Sequence, residues 1–161
     1  MSMKPIQISG WLKDINDNFA ELAPVGSNIG LGALRVARFE FDAGVAGNRS
    51  VGAHGTGVIL PIHAIVVGGF VDVNTAFTGE ENATLAIHVQ AANDIISAAA
   101  VSGAPYSTIG RKAIVPKANT PESTSVKCTA EREITCTVAT AALLTGKLTG
   151  YLYYVEGIGS A

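Results

Sequence analysis

The stretch from Ala64 to Ala91, AIVVGGFVDVNTAFTGEENATLAIHVQA, limits what this chain can fold into more than any other part of it. Residues 64–73 are apolar on both faces for most of their length. A polar run follows, Asn74-Thr75 and then Thr78-Gly79-Glu80-Glu81-Asn82, built from residue types that form turns and loops. From Ala83 the pattern alternates. Ala83, Leu85, Ile87 and Val89 fall on one face, and Thr84, His88 and Gln90 on the other. A period of two marks a half-buried strand. Two strands joined by a polar loop read as an antiparallel pair, which cannot bury its apolar face alone and needs a second sheet over it.

The same signals recur on either side. Leu34–Phe41 sets Ala37, Phe39 and Phe41 against Arg38 and Glu40, and turn residues follow it. Ser50–Ala53 reads as a short strand, Gly55-Thr56-Gly57 opens a loop, and Val58–Leu60 runs into Pro61, which marks an edge or bend. Residues 93–101 fit a short helix or an irregular crossover, and Arg111–Val115 a short strand. Ser123–Ala130 and Glu133–Ala139 alternate on either side of Glu131-Arg132 and read as a hairpin. That hairpin puts Cys128 and Cys136 on neighbouring strands. Lys147–Glu156, with Tyr151, Tyr153 and Tyr154, closes the series. About eight strands with turn signals roughly every 8–12 residues predict an all-β fold, an antiparallel sandwich of jelly-roll type over residues 34–161.

Residues 1–33 carry a different pattern. Ser9 is a suitable helix N-cap, and Trp11, Leu12, Ile15, Phe19 and Leu22 recur at helical spacing. Pro24 and Gly26 end the helix, and residues 24–33, PVGSNIGLGA, form a glycine-rich linker. One reading is an arm whose apolar stripe, Trp11, Leu12, Ile15, Phe19 and Leu22, binds a partner. The other is a helix lying on its own β-domain.

Composition narrows the function. Charged residues make up only 15% of the chain, apolar ones 48%, and there are 18 glycines. So little charge argues against disorder and suggests that other copies or a partner cover much of the surface. Net charge is −2 with no basic cluster, which disfavours nucleic acid as a partner. The opening MSMKPIQISG has no apolar core of a signal peptide, and the run 64–71 is too short to cross a bilayer as a helix. The two cysteines suit a reduced, cytosolically made protein.

No catalytic constellation is legible. His54, His63 and His88 match no metal spacing, and GAHGTG at 52–57 lacks the Lys-Ser/Thr of a phosphate loop. Asp72 with Glu80-Glu81 could hold calcium, but a solvated acidic loop tip is the reading preferred for them. The tyrosines of the last strand could stack on sugars, or fill a sheet face or an interface. No residue is assigned to catalysis, a cofactor or a metal, and the chain is expected not to be an enzyme.

Three segments resemble a known family. Residues 60–89, LPIHAIVVGGFVDVNTAFTGEENATLAIHV, are similar to a strand–loop–strand pattern of small structural proteins of tailed-phage virions. Residues 139–157, ATAALLTGKLTGYLYYVEG, resemble their closing strand, and residues 14–22, DINDNFAEL, a helix common near the N-termini of phage structural proteins. The resemblance is to capsid decoration (cement) proteins. It implies a location on the capsid surface of the virion, the major capsid protein as partner and a homotrimer, beside the expectation from charge, hydropathy and motifs of no nucleic acid, membrane or cofactor. The alternative is a phage fibre or head-fibre module that binds a receptor or glycan.

Overall fold

The computed structural model describes residues 34–117 and 125–156. Nine strands occupy them: β1 (Arg35–Asp42), β2 (Gly52–Leu60), β3 (Ala64–Gly79), β4 (Thr84–His88), β5 (Ile96–Ala100), β6 (Gly110–Ile114), β7 (Val126–Lys127), β8 (Arg132–Ala139) and β9 (Leu143–Glu156). They form two sheets, one in the order β1-β9-β3-β6 with β7 also on β3, the other in the order β2-β8-β4-β5. Every pairing is antiparallel. The pairs nest: β1 with β9, β2 with β8, β3 with β6, β4 with β5. The described residues thus form a long hairpin rolled into two sheets, the jelly-roll arrangement that the spacing of the strands predicts. Among the described residues no helix is long and apolar enough to cross a membrane.

Alternation builds the core. On β1, Ala37, Phe39 and Phe41 turn inward and Arg38 and Glu40 outward. Val71 and Val73 of β3, Leu85 and Ile87 of β4, Ile134, Cys136 and Val138 of β8, and Leu148 and Leu152 of β9 meet them, all buried. Burying each large side chain contributes about 1.5–3 kcal/mol. Phe77 stacks on Phe41 with ring centroids 6.2 Å apart and meets Tyr106 edge-on at 5.7 Å, filling one end of the sandwich.

The structure corrects several expectations. The run 64–73 and the run 83–91 are not a hairpin: β3 lies in one sheet and β4 in the other. Residues 74–79, expected as turn and loop, extend β3, and only residues 80–83 cross the sandwich, so both runs find their apolar faces covered without touching edge to edge. The expected hairpin around Glu131-Arg132 is another crossing, because β7 pairs with β3 while β8 lies between β2 and β4. Cys128 and Cys136 therefore belong to opposite layers, both buried and both free thiols. Burial pushes both thiols up from their ordinary range.

Gly55–Gly57 is not a loop either. β2 runs through it with a register shift between Gly55 and Ile59. Thr56 Oγ1 donates to the Ile134 carbonyl at 2.8 Å, and the Gly57 N–H donates to Glu133 Oε1 at 2.6 Å, so β8 holds the irregular stretch in place. Residues 96–100 form β5 rather than a helix, since ISAAA fits the sheet edge left open by β4. The expected helix with Trp11, Leu12, Ile15, Phe19 and Leu22, and the linker after it, lie outside the described residues.

Candidate functional site

The sheet β1-β9-β3-β6 has one face in the core and one outside. Its outward residues fall into level rows set by the registers. One row is Glu40, Thr149, Asp72 and Arg111, read across β1, β9, β3 and β6. The next is Arg38, Tyr151, Phe70 and Ala113. The third is Val36, Tyr153 and Gly68, and Val115 follows the residue that pairs with Gly69. The face thus changes along the strands from charged through aromatic to aliphatic.

Aromatic packing organises its centre. Phe70 stacks on Tyr151 at 4.7 Å between centroids and meets Tyr153 edge-on at 6.1 Å. The Arg111 guanidinium lies 4.7 Å from the centre of the Phe70 ring, within the reach of a cation–π contact. Arg38 hydrogen-bonds Tyr151 and pairs with Glu40, and these two contacts, Tyr151 foremost, push its guanidinium above its ordinary value. Thr149 Oγ1 donates to Asn74 Oδ1 at 3.1 Å at the polar end.

The aliphatic end is open. Val36 is 55% exposed, Val67 46% and Val115 58%. Val67 stands out because the pairing of β3 with β9 slips between Val66 and Gly68, leaving it as an extra residue. Gly69, two residues on, has φ +152°, and a Cβ there would lie 2.1 Å from the Tyr151 carbonyl oxygen. Aromatic, arginine and aliphatic side chains gathered on one exposed face are the composition of a protein-contact surface.

The residues singled out from sequence distribute unevenly. Tyr151 and Tyr153 lie together on this face, while Tyr154 packs against the core. Asp72 sits on β3 between Thr149 and Arg111, whereas Glu80 and Glu81 lie in the crossing beyond β3. Among the described residues no three His, Cys, Asp or Glu side chains gather as a metal site would require. His54 Nε2 lies 2.8 Å from the Ser50 carbonyl oxygen, and His63 adopts φ +66° at the turn before β3. Phe70 and Arg111 escaped the sequence reading. The available signal was parity: Val71 and Val73 face inward, so Phe70 and Asp72 must face out.

A second unread feature fixes the loop after β4. Asp94 is 3% exposed, and its carboxylate accepts the N–H groups of Val89, Gln90 and Ala91 at 2.9, 2.9 and 2.8 Å. Gln90 in turn reaches the connection before β8, accepting from the Thr129 N–H and Arg132 Nε at 3.0 Å each.

The described residues thus define a double-sheet jelly roll with a closed core and one aromatic outer face. No protein-family model matches the sequence, and no curated protein matches it significantly. Solved structures do share the fold. A chain in the capsid of Ralstonia phage GP4 is 18% identical with a TM-score of 0.56, the match covering 80% of this chain and 88% of that one. A chain in the capsid asymmetric unit of cyanophage Pam1 is 19% identical with a TM-score of 0.53, covering 78% and 86%. A chain in the acidic stable capsid structure of Helicobacter pylori bacteriophage KHP30 is 13% identical with a TM-score of 0.52, covering 76% and 87%. At these identities the likeness is one of fold.

Proposed function

We propose that this protein is a structural component of a tailed-phage virion, and specifically a capsid decoration protein that binds the outside of the head shell. The observation that carries the reading is the match to chains of three phage capsids, in each of which this fold accounts for 86–88% of the neighbouring chain. A decoration protein acts by adding buried area across subunits that internal pressure pulls apart, so its binding free energy adds to the stability of the shell.

In this reading residues 1–33 act as an arm. Trp11, Leu12, Ile15, Phe19 and Leu22 would bury on shell subunits, and several weak arms in one assembly would act together through their effective concentration. The aromatic outer face favours protein contact over the alternative of glycan binding. The Phe70 ring is engaged by Tyr151 and Arg111 and is not a bare platform for a sugar.

Co-sedimentation with shells stripped of the protein tests the function. The full chain should pellet with the shells and raise their resistance to heat. A chain lacking residues 1–33 should remain folded and lose most of that binding. Full-length protein that stays in the supernatant at saturating shell concentration overturns the decoration reading. A truncated chain that binds as well as the full one overturns the arm.

A further inference from the structure

We infer that the outer face of the β1-β9-β3-β6 sheet is a self-complementary surface that pairs two copies of this chain about a two-fold axis. The axis runs parallel to the strands, in the plane of contact, midway between β9 and β3. Rotation about such an axis keeps each row at its level and exchanges its two ends. Glu40 and Arg111 are the two ends of one row. Each Glu40 therefore comes to lie over the partner copy's Arg111, and the contact is made twice.

The same operation brings together the centre of the aromatic row and the ends of the aliphatic one, while Arg38, which comes over the partner copy's Ala113, keeps Glu40 of its own chain as its counter-charge. Phe70 and Tyr151 are neighbours in the middle of their row and exchange places, so each ring meets the other type across the contact. Tyr153 comes over the partner copy's Gly68. That glycine leaves a gap, because a Cβ built there would have no neighbouring atom nearer than 4.0 Å. Val36 comes over the partner copy's Val115, covering two of the most exposed apolar side chains on the face. Any residue pairing of a two-fold contact must hold in both directions, and each of these does. An axis across the strands is reciprocal too, but it lays the charged row over the aliphatic one and so leaves Glu40 and Arg111 without opposite charges.

Sheets that stack face to face keep their strands nearly aligned at a spacing of about 10 Å, which this operation permits. The free protein is then a pair of chains, in place of the homotrimer that the family resemblance implies. The charged ends set register while the aromatic and aliphatic centre supplies the burial.

Light scattering and sedimentation of the full chain at micromolar concentration test the inference, with charge swaps as the discriminating variants. The wild type should have the mass of two chains. Glu40→Arg and Arg111→Glu should each weaken association at least about tenfold, a change of about 1.4 kcal/mol. The double variant, Glu40→Arg with Arg111→Glu, should restore it. Both residues are exposed, so the circular dichroism spectrum should not change. Val36→Glu, in the aliphatic row, is an independent variant and should also separate the pair. A wild type with the mass of one chain or three chains overturns the inference. So does a double swap that associates no better than the single ones.

Discussion

At the scale of single residues, the inner face of the sandwich is specified by close fits that alternation alone does not reveal. Gly150 pairs with Phe39 across β1 and β9, and the Phe39 ring lies over the glycine. A Cβ at Gly150 would fall 2.1 Å from that ring. Gly150→Ala should therefore lower stability by about 1–3 kcal/mol, read as an earlier midpoint in urea, through overpacking. Phe39→Leu in the same chain should recover part of the loss by vacating the space. Tyr106 presents the opposite case. It is fully buried, its ionisation is pushed far up by burial, and its hydroxyl has no hydrogen-bond partner among the described residues. An unpartnered buried hydroxyl opposes folding, so Tyr106→Phe should leave stability unchanged or raise it by about 1 kcal/mol. A clear loss in the same urea titration would show that the hydroxyl has a partner after all. Neither residue was legible as special in the sequence. Period two identifies which side chains face inward, and it says nothing of which neighbour each one meets.

At the scale of elements, the strands at Leu34–Phe41, Arg111–Val115 and Lys147–Glu156 were readable because side-chain parity and turn residues agree there. The two misread hairpins have one cause. A polar loop between two alternating runs looks the same whether it closes a hairpin within a sheet or crosses from one sheet to the other. The loops after β3 and β7 both cross, and both read as hairpins. The missed β5 has a related reason: ISAAA carries no alternation, and only the open edge of β4 makes it a strand. The loop after β4 shows how such connections are secured, by one buried carboxylate. Asp94→Ala would strip three backbone N–H groups of their acceptor, Val89's in a buried setting. The expected loss is about 3 kcal/mol. Hydrogen exchange should speed up first at residues 89–91. A variant as stable as the wild type would mean that water replaces the carboxylate without cost.

At the scale of the whole molecule, the nested strand pairs make the first and last described strands neighbours, so β1 and β9 lie side by side and the outer face of their sheet spans both ends of the domain. The class of fold could be read from strand number and spacing. The outer face could not, because it depends on which strands lie beside which: Phe70, Tyr151 and Arg111 are far apart in sequence and share one surface only through the registers. The arm residues Trp11, Leu12, Ile15, Phe19 and Leu22 remain a proposal resting on helical spacing. The most direct measurement of the decoration proposal is a cryo-EM map of the virion that carries this protein. The account predicts density on the outer surface of the head that fits a nine-stranded, two-sheet domain, with a further segment running onto the shell subunits. Density for this fold confined to the tail or a fibre, with a bare head surface, would contradict it.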